Sequence, residues 1–213
     1  HGGACARPRR ARIAAAVAFA LSAAASARER PVVLDVEAVG AWQGRNDVQS
    51  PNTAPSTRFA LDDITGSGPF ATGRLQLAWP FRERQEWRVL VAPLSVSAGG
   101  SLPGPVRFEG ASFAAGAVQG RYQFDSWRLT WRYHWIDRPD LSVKVGFTAK
   151  LRDASIELRQ GALRARKDNT GFVPLLHAAF ERPLATGWSL QGDVDALAGG
   201  PGYAIDAGLR VAR

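Results

Sequence analysis

Histidines and carboxylates are the first residues of this 213-residue chain to test for chemistry. A base that activates a nucleophile must lie within hydrogen-bond reach of it, and a carboxylate often orients that base. His134 and His177 are the histidines beyond the N-terminal segment, and Glu181 follows His177 by four residues. In a strand that spacing is roughly 13 Å, too far for a direct pair. We therefore predict no catalytic residue and place both histidines in a polar network.

Motifs for other kinds of chemistry are absent from the sequence. There is no Gly-x-Ser-x-Gly elbow, no Gly-rich phosphate loop before a helix and no Cys/His metal spacing. A net charge of +8 would suit nucleic acid, but no basic helix or reading motif accompanies it. We predict no metal, no cofactor and no nucleic-acid partner.

Arginines offer a different chemistry, the recognition of phosphate, because a guanidinium binds two phosphate oxygens at once. The candidate phosphate contacts lie in two predicted outer loops: Arg58 in the first, and Arg159, Arg164, Arg166 and Lys167 in the connection 159–169. The alternative is that these charges only keep the loops soluble.

Strands must position all of these side chains, because apolar and polar residues alternate as they do in residues 141–151. The pattern predicts eight strands, at 32–44, 70–80, 86–97, 118–135, 141–158, 170–181, 187–197 and 203–212. Long and short connections alternate between them, which is typical of outer-membrane β-barrels. Aromatic residues that would form an interfacial girdle stand beside the short connections: Trp79, Trp87, Trp135, Phe180 and Trp188.

The N-terminal residues 1–27 resemble a signal peptide rather than a structural element. Four arginines precede the apolar run 13–21, and Ala25-Ser26-Ala27 is a small-residue cleavage site. A transmembrane anchor is the alternative, but the run is short of the ~20 residues that span a bilayer. Removing the segment lowers the net charge to +4. The chain contains no Met, so we expect the true N-terminus to lie elsewhere.

The predicted fold of residues 28–213 is all-β: an eight-stranded antiparallel up-and-down transmembrane β-barrel after a cleavable signal peptide. A soluble β-sandwich or a lipocalin-like barrel is the alternative, although the strands are long for a sandwich. The apolar pattern changes phase near Asp125-Ser126 and near Arg152-Asp153. A one-residue slip would reverse the faces, so we predict a β-bulge at each point and a flap that projects beyond the membrane.

The inward-facing positions predict a polar network that fills the interior. Its acidic members are Asp35, Glu37, Asp193, Asp195 and Asp206, and its basic members are Arg128, Arg132, Lys144, Lys150, Arg152 and Arg210, joined by His134 and His177. The acids fall on strands one, seven and eight, opposite the bases of strands four and five. Eight strands enclose only enough room for side chains, so we expect a plugged interior with Arg210 beside Asp35 or Glu37. A narrow wet channel is the alternative.

Three stretches carry a resemblance to a known class: residues 124–133, FDSWRLTWRY; residues 145–154, VGFTAKLRDA; and residues 171–177, GFVPLLH. With them the chain resembles uncharacterised small outer-membrane β-barrel proteins of Gram-negative bacteria, with an architecture similar to OmpA/OmpX-, OmpW- and PagL-type barrels. A PagL-type lipid A deacylase would carry a His-x-Ser pair. Here Trp135-Ile136 follows His134 and Ala178-Ala179 follows His177, so no catalytic residue is carried over. The last residue is Arg213 instead of the aromatic that such barrels usually carry.

These patterns predict a function tied to the bacterial outer membrane. We expect a non-enzymatic, monomeric barrel that contacts envelope components through its outer loops. The expected partners are outer-membrane lipid, lipopolysaccharide and the barrel-assembly machinery. The alternatives are a lipid-modifying enzyme of the lipid A acyl hydrolase type and a small-solute, porin-like pore.

Overall fold

A computed structural model describes residues 19–20, 30–199 and 202–213. The predicted signal peptide therefore lies outside the described residues, apart from Phe19–Ala20. The strands are β1 Phe19–Ala20, β2 Val33–Ala41, β3 Asp47–Val48, β4 Phe59–Ala60, β5 Phe70–Arg82, β6 Gln85–Ala92, β7 Ser95–Leu102, β8 Val106–Phe108, β9 Ala111–Phe113, β10 Gly116–Arg138, β11 Leu141–Gln160, β12 Leu163–Pro183, β13 Ser189–Gly199 and β14 Gly202–Ala212. The helices are α1 Asp62–Thr65 and a 3₁₀ turn at Ala185–Gly187. Within these ranges no helix combines the length and hydropathy needed to cross a membrane.

The main sheet is an antiparallel up-and-down arrangement of eight strands, so this part of the predicted fold is confirmed. Its order is β2-β5-β6-β10-β11-β12-β13-β14, with β7 continuing β6 along β10. The sheet curls until Arg210 of β14 lies 3.5 Å from Asp35 of β2. In the described residues no backbone pairing joins these two edge strands, and β1 pairs with Glu37 and Ala38 of β2.

Two predicted boundaries are wrong, each for a local reason. The third strand was expected to be continuous, but it breaks at Pro93-Leu94 because proline has no N–H to give to the ladder. The connection predicted at 159–169 is a turn of two residues, and Gly161 reaches the φ of +59° that this turn requires. Strand β11 therefore ends two residues later than predicted, and β12 begins seven residues earlier.

The predicted β-bulges at Asp125-Ser126 and Arg152-Asp153 are also wrong. The register between β10 and β11 runs without a break from Gln119 opposite Arg159 to His134 opposite Lys144, and shifts only at Trp135. Val118 and Thr130 thus share the inner face, and both are buried. The phase of the pattern changes because the two faces exchange polarity, while the strand itself stays in register.

The outer face of the sheet carries a broad apolar belt below this exchange of polarity. Its exposed members include Val36, Leu75, Leu77, Trp79, Val89, Trp127, Leu129, Trp135, Phe147, Leu151, Phe172, Leu176, Phe180, Val194, Ile205 and Leu209. Phe147 is 60% exposed and Phe172 is 64% exposed. Soluble monomers seldom expose contiguous apolar surface of more than a few hundred Å², so the belt needs a covering.

Above the exchange, β7, β10, β11 and β12 continue as a smaller sheet with an apolar inner face. We call this part the head; it also contains the connection 42–69, α1 and the β8–β9 hairpin. Its core comprises Val48, Phe59, Leu61, Ile64, Leu102, Val106, Phe108, Phe113, Val118, Leu158 and Ala165. Gly100 and Gly120 let α1 approach closely, since a Cβ on Gly100 would lie 2.6 Å from the Cα of Ile64. The connection 42–69 therefore packs through α1 against the inner face of the head sheet.

Candidate functional site

Charged side chains fill the inner face below the head, and Asp195 of β13 is at their centre. It is fully buried, and its carboxylate accepts hydrogen bonds from Arg128 Nη1 at 3.0 Å and Thr148 Oγ1 at 2.6 Å. Arg88 Nη2 lies 3.5 Å from the same carboxylate, and Arg88 Nη1 lies 3.7 Å from Asp193. Because β6 and β13 are not neighbours in the sheet, these pairs cross the interior.

A second carboxylate, Glu86 of β6, gathers three bases nearer the short connections. Arg132 Nη1 donates to it at 3.1 Å and Lys144 Nζ at 2.9 Å. His134 Nε2 lies 3.4 Å from its other oxygen. Glu86 is 4% exposed, so this cluster replaces the water that each charge would otherwise bind.

His177 joins the two clusters and takes up one tautomer as a result. Arg132 Nε donates to His177 Nε2 at 3.1 Å, so that nitrogen must be an acceptor. His177 Nδ1 then carries the proton and donates to Asp195 at 2.7 Å. A general base would need Nε2 to face a nucleophile, but here it faces a guanidinium. The geometry therefore gives His177 a structural contact.

The remaining predicted members lie around the edge strands and at the upper end of the network. Asp206 accepts from Lys150 Nζ at 2.8 Å and lies 3.3 Å from Arg128 Nη2. Arg210 contacts both Asp35 and Glu37 across the two edge strands. Arg152 contacts none of these carboxylates in the described residues; its Nη2 donates to Asn169 at 2.7 Å.

The simple picture of an acidic wall opposite a basic wall is therefore too coarse. Glu86 lies among the bases, and Arg210 lies among the acids. Sequence reasoning missed Glu86, Arg88, Thr130 and Thr148, which are all buried. The alternation of polar and apolar residues in β6 could have identified Glu86 and Arg88 as inward-facing residues.

The four phosphate contacts predicted in a loop at 159–169 lie on strands instead, because β11 and β12 occupy that stretch apart from a two-residue turn. Arg58 lies in the connection 42–69, with its Nη2 3.0 Å from Asp47. Lys167 Nζ lies 3.6 Å from Glu109 of the β8–β9 hairpin. The other three, Arg159, Arg164 and Arg166, stand on β11 and β12 around Glu157.

Glu157 is a buried carboxylate that the sequence did not single out. Its side chain is 4% exposed, while those of Arg159 and Arg164 are 54% and 55% exposed. Burial alone would raise the pKa of Glu157, but the hydrogen bonds from Arg164 and Arg159 outweigh it and hold the pKa below the ordinary value. Glu157 is therefore ionised at neutral pH.

No family model matches the chain, and no curated protein matches it.

Proposed function

We propose that the chain is an integral outer-membrane protein whose eight long strands close into a plugged, non-enzymatic β-barrel. In this placement the apolar belt contacts lipid and the head stands outside the bilayer. The head is then the part that contacts other envelope components.

The exchange of polarity between the two faces is the observation that carries the proposal. On β10, Trp127 is exposed and Ser126 is buried, whereas near the start of the strand Gln119 is exposed and Val118 is buried. A sheet with an apolar outer face and a polar inner face is suited to hydrocarbon, and a sheet with a polar outer face and an apolar inner face is suited to water. A soluble sandwich or lipocalin-like barrel would keep the polar outer face along the whole strand. One strand that crosses from one environment to the other accounts for both halves.

Closure of the barrel is supported by Arg210, whose inward side chain contacts two carboxylates of β2. Antiparallel pairing of β2 with β14 would set Val36 opposite Leu209 or Val211 on the outer face. The sequence contains a single cysteine, Cys5, ahead of the predicted cleavage site, so engineered pairs have no competitor in the processed chain.

The test oxidises Val36→Cys combined with Leu209→Cys, and Val36→Cys combined with Val211→Cys, in cells, and reads the disulfide by peptide mass analysis. One of the two pairs is expected to cross-link, since a disulfide needs a Cα separation of about 4.4–6.8 Å. The control is Val36→Cys with Leu176→Cys on distant β12. Absence of both cross-links would contradict closure.

Location is tested by fractionating the cells that express the full chain and by gel migration with and without boiling. We expect the protein in the outer-membrane fraction and faster migration without boiling, because a closed barrel stays compact in detergent. Recovery in the soluble periplasmic fraction would contradict the proposal.

Two further measurements test the absence of conduction and catalysis. The buried pairs around Asp195 and Glu86 fill the interior, so we expect no single-channel current in a planar bilayer. Because His177 Nε2 is held by Arg132, we also expect the lipid A of expressing cells to keep its acyl chains. A stable current would establish a pore, and a loss of acyl chains would establish a lipid A hydrolase.

A further inference from the structure

The outer face of the head carries a group of arginines on three adjacent strands. We call it the arginine face: Arg121 on β10, Arg159 on β11, and Arg164 and Arg166 on β12, around Glu157 on β11. In the register of the sheet, Arg121 and Arg166 stand directly opposite Glu157 on its two sides. Neighbouring strands are about 4.8 Å apart, so the group is compact.

Glu157 positions the guanidinium groups that surround it. Arg164 Nη2 donates to its Oε2 at 2.8 Å, Arg159 Nε donates to its Oε1, and Arg166 Nη1 lies 3.8 Å away. Arg166 is held mainly by Asp168, at 2.7 Å. The carboxylate is buried because the arginine side chains cover it, although it lies on the outer face of the sheet.

The arginines keep many donors for another ligand. Each guanidinium has five N–H donors, and the hydrogen bonds of Arg159 and Arg164 to Glu157 engage only some of them. Four arginines face the carboxylates of Glu157 and Asp168, and Asp153 on the same face of β11 also acts on Arg166, so the group keeps a net positive charge. Forks that are held apart at fixed positions bind a tetrahedral oxyanion at a lower entropic cost than free side chains do.

We propose that the arginine face binds phosphate monoester groups carried by an outer-leaflet glycolipid. The proposal rests on the membrane placement proposed above. Glu157 lies six residues beyond Leu151, the last apolar residue on the outer face of β11, or about 20 Å along the strand. With strands tilted by about 40°, that is roughly 15 Å above the hydrocarbon, among the sugars of the leaflet.

The test measures binding by the detergent-solubilised full-length protein with isothermal titration calorimetry. Its probes are lipopolysaccharide, the same lipopolysaccharide after enzymatic dephosphorylation, and inorganic pyrophosphate. We expect the Arg159→Gln/Arg164→Gln variant to bind intact lipopolysaccharide about tenfold or more weakly, because it loses charge-assisted hydrogen bonds. The matched control is Arg107→Gln, which removes an exposed charge elsewhere on the head and should change affinity less than about twofold.

The Glu157→Gln variant distinguishes a specific site, in which Glu157 holds the arginines in place, from non-specific attraction to positive charge. The substitution adds one unit of positive charge, so non-specific attraction would strengthen binding. Binding at a specific site would weaken, since the arginines lose the carboxylate that holds them. Stronger binding by Glu157→Gln, equal loss in Arg107→Gln and the double variant, or undiminished binding of dephosphorylated lipopolysaccharide would overturn the proposal.

The remaining outcomes separate this proposal from the one on which it rests. Pyrophosphate binding that the arginine variants abolish, in a protein recovered from the periplasm, would keep the anion site and overturn the membrane placement. Pyrophosphate binding without lipopolysaccharide binding, in a protein that migrates as a compact barrel, would identify free phosphate compounds as the ligand and overturn the glycolipid. Compact migration without boiling checks that the barrel of each variant is folded, and an unchanged rate of proteolysis within residues 42–69 checks that its head is folded.

Discussion

Ser126 and Trp127 are consecutive residues of β10, and at their level the sheet exchanges the polarity of its two faces. Ser126 is 4% exposed on the inner face, and Trp127 is 51% exposed on the outer face. Below this level the outer face is apolar and the inner face carries ions; above it the head has an apolar inside and a polar outside.

Phe147→Arg should destabilise the folded protein in lipid vesicles by about 2–4 kcal/mol, because Phe147 lies midway along the apolar belt. Gln119→Arg, on the same face but in the head, should have almost no effect. Urea titration of refolded protein in vesicles measures both. Two equally small effects would mean that the belt faces water.

Asp195→Asn should cost about 3–5 kcal/mol, since it leaves Arg88 and Arg128 buried without their carboxylate. The control is Asp140→Asn. That carboxylate is 77% exposed and lies 3.6 Å from Arg138, and such surface pairs contribute at most about 1 kcal/mol. The urea midpoint reports both, and an unchanged midpoint in Asp195→Asn would show that the network does not support the fold.

Leu61→Ala should loosen the head without opening the sheet below it. Leu61 is fully buried in the apolar core, where such a truncation costs about 2–5 kcal/mol. We expect faster proteolysis within residues 42–69 and unchanged compact migration without boiling. Leu163→Ala, at the exposed β11–β12 turn, is the control. Loss of compact migration in Leu61→Ala would show that head and barrel unfold together.

The stability of the head should fall as the pH drops below the ordinary glutamate range. The pKa of Glu157 is lower in the folded state than in the unfolded chain, so its contribution is complete above the unfolded value. It disappears as the pH falls through the folded value, because the carboxylate must then take up a proton. Hydrogen exchange of head amides between neutral pH and about pH 3 measures this loss. Glu157→Gln should flatten the profile, and an unchanged profile would contradict the assignment.

The sequence predicted strand positions well because alternation is a local property of the chain. The same alternation assigned side chains to the inner or outer face of the sheet. It predicted correctly that Arg210 contacts Asp35 and Glu37 on the inner face. The sequence could not reveal that the apolar pattern changes phase at Ser126 without a β-bulge. A bulge and an exchange of polarity between the two faces both shift the apolar residues by one position along the sequence. The fold of the connection 42–69 was equally inaccessible, since Ile64 meets Gly100 and Gly120 from far along the chain.

The partners within the network were harder to predict than its members. Glu181 is too far along the same strand to pair with His177, and Asp195 from the neighbouring strand is the carboxylate that His177 contacts. The pairing depends on the register between β12 and β13, in which His177 stands directly opposite Asp195. That register is set by the turn at 184–188, and turn geometry is weakly encoded in the sequence.

The apolar core of the head would hold the proposed protein in its membrane once the head has folded. Phe108 and Phe113 are almost fully buried once the head has folded around them. Withdrawal toward the periplasm would move the polar surface of the folded head through the hydrocarbon region, so the head would first have to unfold. Withdrawal would then be limited by the unfolding rate of the head, and the protein would stay inserted even where its equilibrium stability is modest.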